Sequence, residues 1–324
     1  MSETAAVILA AGRSTRMKSD LPKVLHEICG RPMLSFVLSA CRLAGASRLL
    51  VVVGHGKGQV KERFEAEGDV VWVDQDEQNG TGHAVKCCQE QLQGFTGNVV
   101  VIAGDMPLVR RTTLAELIEA REQNNDAVSL ATTFLDDPAG YGRIIRDTDG
   151  KLVAIVEHRN CTEEQRNIRE VNPSYYCFDA ERLFEGLAQV EANPETGEVY
   201  VTEAIRLLRE AGHGVSATVT VPAEDAIGIN TRLDLAVVSR LMQDRIQLAL
   251  MEEGVTLVDP DNTWIEAEAV IGRGTTICPF SFIGAGAMIG ERCRIGPFAS
   301  IARGGEVPDE TVVGRAENCG ASMS

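Results

Sequence analysis

Apolar positions along the first third of the chain follow two periods. Ala5 to Leu9, Leu49 to Val53, Val70 to Val73 and Val99 to Ala103 are short, near-continuous apolar runs, the pattern of strands buried on both faces. Between the first two, Leu34, Val37, Leu38 and Cys41 recur at helical spacing behind Pro32, which suits a first helical position, and Gly45 ends the pattern. Gln59 to Glu67 reads as a polar helix and Gly80 to Gln93 as another. The alternation predicts an α/β fold with a doubly wound, mostly parallel sheet whose ligands sit at the carboxyl ends of its strands. Ala127 to Val221 reads as strands and hairpins with two helices, a subdomain laid over the sheet edge. Within it, Asp149-Gly150 marks a tight turn between Gly142–Arg146 and Leu152–Val156.

A different period takes over after a helical stretch from Thr231 to about Glu253. Ile265, Ile271, Ile277, Ile283, Ile289, Ile295, Ile301, Val307 and Val313 stand six residues apart, and Gly follows many of them, at 272, 284, 290, 296 and 314. Nine matches in one register make a hexapeptide repeat, the mark of a short left-handed parallel β-helix of about three coils. So short a stack needs neighbours to cover its faces, and resemblance to other hexapeptide-repeat proteins implies a homotrimer. The expected division is 1–230, a connecting helix over 231–255, the β-helix over 256–316 and a tail over 317–324.

Composition narrows the setting. No run of eighteen apolar residues occurs, and the N-terminus lacks a basic segment followed by an apolar one, so the expectation is a cytoplasmic protein with no membrane partner. Nine scattered cysteines without a C-x-x-C pair read as reduced thiols, and adjacent Cys87 and Cys88 as helix residues. A formal charge of −16 argues against nucleic acid as a partner. Against that charge, Arg13, Arg16, Lys18 and Lys23 crowd a loop containing one acid, Asp20.

That loop follows the first strand and opens Leu9-Ala10-Ala11-Gly12. Small residues let backbone N–H groups approach a ligand, and N–H groups beside Arg and Lys make an anion site whose natural occupant is a polyphosphate. A Walker-type loop is excluded by the absence of G-x-x-x-x-G-K-[ST]. Gly54-His55-Gly56-Lys57-Gly58 does not complete a dinucleotide fingerprint, since residue 59 is Gln59, and reads as a simple βα turn. Asp105 ends the run Val99 to Gly104 with an abrupt carboxylate, a hard ligand suited to Mg²⁺.

Leu9-Ala10-Ala11-Gly12-Arg13-Ser14-Thr15-Arg16-Met17 with Leu21-Pro22-Lys23 resembles the signature of the sugar-nucleotide pyrophosphorylases, and is similar in form to their bacterial N-acetylglucosamine-1-phosphate uridyltransferase branch. The family often has Gly where Ser14 stands. The resemblance, over roughly residues 5 to 232, implies transfer of UMP from UTP to N-acetyl-α-D-glucosamine 1-phosphate with Mg²⁺. It assigns Arg16 and Lys23 to the triphosphate as catalytic cations, and Leu9, Ala10, Ala11 and Gly12 to the nucleotide. Gln75, Gly80 and Thr81, in Gln75-Asp76-Glu77-Gln78-Asn79-Gly80-Thr81-Gly82-His83-Ala84, read the base. A Gln amide can meet one donor and one acceptor, so Gln75 by itself suits cytosine as well as uracil. His83 reads as a hydrogen-bonding residue at a helix start.

The same resemblance gives the metal to Asp105 and Asn230, although Asn230 taken by itself equally suits a helix N-cap. It gives the sugar phosphate to Gly142, Glu157, Asn172, Tyr200 and Thr202. Ser174 stands where the family usually has Gly, and Val199 and Glu203 depart from its E-Y-Y-x-T-D run. Bifunctional relatives carry an acetyltransferase on a longer β-helix. Here all five histidines precede the repeats, which stop near Val313, so no acetyltransferase activity is expected. Another sugar 1-phosphate, another pyrimidine nucleotide, or a non-catalytic regulatory subunit stay open as alternatives.

Overall fold

The computed structural model describes residues 2–13 and 15–314, so Ser14, Cys319 and the 317–324 tail lie outside the described residues. The chain forms two units, residues up to 26 with 33–234, and 27–32 with 235 onward.

In chain order the first part contains β1 (Thr4–Ala10), a small hairpin of β2 (Glu27–Ile28) and β3 (Arg31–Pro32), α1 (Met33–Leu43), β4 (Arg48–Val53), α2 (Lys57–Arg63), β5 (Val70–Asp74), α3 (Thr81–Lys86), β6 (Asn98–Ala103) and α4 (Arg111–Asn124). There follow β7 (Val128–Phe134), β8 (Gly142–Arg146), β9 (Leu152–Val156), α5 (Glu163–Arg166), β10 (Glu170–Asp179), α6 (Ala180–Gln189), α7 (Val201–Glu210), β11 (Val215–Val219) and α8 (Arg232–Glu252). The main sheet has the order β11-β7-β10-β6-β1-β4-β5. β1 lies inside it, parallel to β4 and β6, and Ala5 to Ile8 are fully buried, as an apolar run without alternation requires.

Several expectations need correction. Pro32 pairs in the β2–β3 hairpin immediately before α1 rather than opening the helix. The polar helix α2 is shifted toward the N-terminus of the expected span. α3 ends at Lys86, because Cys88, Gln89 and Gln93 donate to carbonyls three residues back and the chain tightens into successive turns. Residues 127–221 are not a subdomain over the sheet edge. β10 inserts antiparallel between β6 and β7, with Tyr176 opposite both Val101 and Leu130, and only the β8–β9 hairpin leaves the main path.

In the second unit, ten two-residue strands, β12 (Thr256–Leu257), β13 (Trp264–Ile265), β14 (Val270–Ile271), β15 (Thr276–Ile277), β16 (Phe282–Ile283), β17 (Met288–Ile289), β18 (Arg294–Ile295), β19 (Ser300–Ile301), β20 (Glu306–Val307) and β21 (Val312–Val313), stack as three parallel sheets. This is the left-handed parallel β-helix. The repeat Ile and Val side chains fill its interior, Ile265 over Ile283 over Ile301 on one face. The β2–β3 hairpin belongs to this unit: Ala267 N donates to Cys29 O at 2.8 Å, and Arg303 pairs with both Glu27 and Glu266.

Candidate active site

A cavity of about 970 Å³ opens in the first unit beside the ends of β1 and β6. Gly104 N donates to Leu9 O at 2.9 Å, and a Cβ on Gly104 would lie 3.3 Å from that oxygen, so glycine lets the turn into Asp105 close against β1. Ile229 N donates to Asp105 O at 3.0 Å, which holds 228–230 against the same strand end.

Asn230 is not the cap of α8. Thr231 Oγ1 accepts from Asp234 N at 3.2 Å, while Asp234 Oδ2 accepts from Thr231 N at 2.8 Å and Asn230 N at 3.0 Å. Thr231 and Asp234 thus satisfy the helix start and leave the Asn230 side chain to the site. Its Oδ1 accepts from Arg16 Nη2 at 2.9 Å and Lys23 Nζ at 3.2 Å, and Lys23 also pairs with the Asp105 carboxylate. Four residues from three segments far apart in sequence meet here. Two hard oxygens, one from Asp105 and one from Asn230, converge on a single cation, the Lys23 ammonium. Among the described residues no three His, Cys, Asp or Glu gather as a metal cage. One carboxylate with one carboxamide oxygen suits Mg²⁺, which keeps waters and binds phosphate beside few protein ligands.

Leu9, Ala10, Ala11 and Gly12 line the cavity with Arg16 and Lys23, and Arg13 joins them. A Cβ on Gly12 would meet no described atom within 4 Å, so its absence leaves cavity space rather than packing room. Gln78, which sequence reasoning passed over, donates to Ala11 O at 2.8 Å and ties the loop to the segment before α3. Gly54 has a close-approach role: a Cβ there would sit 2.9 Å from Ala11 O.

Gln75, Gly80 and Thr81 also line the cavity. Gln75 is 4% exposed, and its Nε2 lies 3.1 Å from Gly80 O and 3.0 Å from His83 Nδ1. Thr81 Oγ1 accepts from Val201 N at 3.2 Å, joining α3 to the start of α7. Gly80 has φ 94°, and a Cβ on it would come 2.5 Å from Val199 O.

Glu157, Tyr200 and Thr202 reach the cavity; Gly142 and Asn172 do not line it. Gly142 pairs with Asn172 between β8 and β10. The Asn172 amide is 6% exposed, donating to Tyr176 Oη at 2.7 Å and accepting from Ser174 N at 3.1 Å. Those bonds support Ser174, which lines the cavity at φ 69° in the β10 bulge. Burial pushes the Glu157 carboxyl above its usual range, and nearby Arg159 partly offsets this. Arg159, which no sequence motif marks, and Glu198, the first residue of the E-Y-Y-x-T-D-like run, both bond the Tyr200 hydroxyl. The buried Cys41, Cys88 and Cys177 thiols are pushed up to about 12, which leaves them unreactive.

The chain is similar to "Bifunctional protein GlmU" of Clostridium botulinum (strain Eklund 17B / Type B), 44% identical over 85% of this chain and 60% of that protein. The corresponding protein of Geobacter metallireducens is 43% identical over 86% and 59%, and that of Geobacillus thermodenitrificans 43% over 86% and 60%. The chain therefore spans about three fifths of the length of these curated relatives. The crystal structure of UDP-glucose pyrophosphorylase complexed with UDP-glucose superposes with a TM-score of 0.62 at 16% identity, covering 76% of this chain and all of that one, which shows a shared fold. The bacterial transferase hexapeptide pattern matches residues 261–303. Residues 6–193, which supply most strands of the main sheet and most of the cavity lining, match the MobA-like NTP transferase domain, and the chain belongs to that family.

Proposed function

We propose that this chain transfers UMP from UTP to N-acetyl-α-D-glucosamine 1-phosphate, releasing pyrophosphate and forming UDP-N-acetylglucosamine. The observation that carries the proposal is the convergence of Arg16, Lys23, Asp105 and Asn230 at a cavity whose walls also hold Gln75, Gly80 and Glu157. A phosphate oxygen of the sugar phosphate attacks the α-phosphorus of UTP, and the bond to the bridging oxygen of the β-phosphate breaks. The nucleophile is already an anion, so no general base is needed, and the barrier lies in charge repulsion and alignment. Arg16 and Lys23 neutralise the triphosphate, and the loop Leu9–Gly12 admits it closely. Asp105 and Asn230 would hold Mg²⁺, which when bound would supply charge neutralisation and alignment of the phosphates. Glu157 accepts from sugar hydroxyls, while Tyr200 and Thr202 stand near the sugar phosphate.

Pyrophosphate release from a panel of nucleotides and sugar 1-phosphates tests this. UTP with N-acetylglucosamine 1-phosphate should be preferred and should require a divalent cation. Preference for another sugar or base would reassign the substrate, and UTP binding without turnover would favour a regulatory subunit. We assign the β-helix to assembly of a homotrimer, supported by its hexapeptide repeat.

A further inference from the structure

Gln75 is a symmetric reader in shape but not in its surroundings. An amide presents a donor face and an acceptor face of nearly equal size, and turning it over exchanges them. Two groups meet its nitrogen here: the Gly80 carbonyl oxygen, an acceptor, at 3.1 Å, and His83 Nδ1 at 3.0 Å, which accepts when the ring proton is on Nε2. The backbone of Gln75 is also pinned, its N–H donating to Val53 O at 2.8 Å in continuation of β5. Turning the amide would place Oε1 against a carbonyl oxygen and against the His83 lone pair. Both amide hydrogens are therefore committed within the protein, and Oε1 is what remains for a base.

We infer that His83, as the neutral tautomer with its proton on Nε2, is a positioning residue that locks the Gln75 amide so that the site selects uracil over cytosine. The inference rests on the uridyl-transfer reading and deepens it. Uracil carries a hydrogen on N3, which Oε1 accepts; cytosine N3 carries a lone pair, which Oε1 opposes. His83 lies in the first turn of α3, adjacent to cavity-lining Ala84 and two residues after Thr81, so its ring acts on the base through Gln75. Without His83 one amide hydrogen loses its partner, only the Gly80 carbonyl still opposes turning of the amide, and the preference for uracil over cytosine weakens.

Catalytic efficiency with UTP and with CTP, each with N-acetylglucosamine 1-phosphate, tests the lock in wild type, His83→Phe and His83→Asn. Asn carries an acceptor oxygen near the place of Nδ1, and Phe carries none. The UTP-to-CTP ratio should fall about ten-fold in His83→Phe, the scale of one hydrogen bond, and return most of the way in His83→Asn. A merely structural histidine would lower both nucleotides together, and an unchanged ratio, or equal loss in both variants, overturns the inference. Wild-type inactivity with both nucleotides would sink the uridyl-transfer reading itself. Nitrogen-15 NMR of the native chain reads the lock without any variant: His83 Nδ1 should be unprotonated, and a proton found on it overturns the proposal.

Discussion

Lys23 Nζ lies 3.2 Å from Asn230 Oδ1, joining a loop after the first strand to the segment before α8. The same ammonium pairs with Asp105, and the two side chains of that pair are only 16% and 18% exposed. A charge held in a partly dry site acts on a phosphate more strongly than one on the surface, since a contact near 4 Å is worth roughly 4 kcal/mol at an effective dielectric of about 20, before desolvation.

Lys23→Ala should lower kcat/KM for UTP by about 10²- to 10³-fold, the scale of losing one preorganised electrostatic group. Asp105→Ala should remove the divalent-cation dependence along with turnover, while its thermal midpoint stays close to wild type because the carboxylate adds little to the core. Steady-state rates across a Mg²⁺ titration, with circular-dichroism melts, check both. Near-normal rates with unchanged metal dependence would take Asp105 out of the site.

Asp234 does not line the cavity, yet its bond to the Asn230 N–H holds the backbone that carries the Asn230 side chain. Asp234→Ala removes the acceptor for the Asn230 and Thr231 N–H groups, costing about 1 kcal/mol of helix stability. Its informative effect is kinetic: half-saturation by Mg²⁺ should rise, and Asp234→Asn, which keeps an acceptor, should recover part of it. Loss of stability with unaltered Mg²⁺ saturation would confine Asp234 to capping.

The strands β1, β4, β5 and β6 were legible because each is a short apolar run that no amphipathic helix would show. β10 was not, since turn chemistry reports a neighbour in sequence whereas Tyr176 pairs with Val101 and Leu130 across the sheet. In the β-helix, the repeat of Ile and Val was plain but its glycines hid a second rule. A Cβ on Gly272 or Gly284 would strike the next coil at 2.5 Å, which explains glycine after the repeat residue. Positive φ recurs at another phase, at Glu268, Gly274, Phe280, Gly286, Arg292, Phe298, Gly304 and Glu310, where glycine is not obligatory and no composition signal appears. Around the cavity, cations and carboxylates were visible by type. The partnerships Gln75 with His83 and Asn172 with Tyr176 were not, because they depend on which way a buried amide turns.

Glu157 should make stability depend on pH. Its carboxyl titrates above the ordinary 4.5 in the folded chain because burial disfavours the anion. The folded state then holds more protons than the unfolded one in the window above 4.5, so this group's contribution falls as pH rises through that window. Glu157→Gln removes the cost of the buried anion. Its thermal midpoint should match wild type near pH 4 and exceed it near pH 8, and a difference that does not grow with pH would contradict the buried-anion account. Affinity for the sugar phosphate should drop in the same variant.

Assembly can be tested on the outer face of the β-helix. Val270 and Met288 stand in register on adjacent coils, 61% and 57% exposed, with Glu306 next in the same stack. Phe280 and Phe298, in the turns before β16 and β19 and so on a different edge of the β-helix, stack with ring centroids 5.1 Å apart and are exposed as well. Covering one such aliphatic side chain is worth about 1.5–3 kcal/mol, so a trimer that buries Val270 and Met288 would gain two such increments per subunit. Val270→Glu with Met288→Glu sets three carboxylates in a ladder and leaves the interior Ile271, Ile289 and Val307 untouched. Light scattering at micromolar concentration should give three times the chain mass for wild type and a monomer for the double variant, with unchanged far-ultraviolet circular dichroism. A monomeric wild type would sink the trimer, and a double variant that still assembles would move the interface to another face.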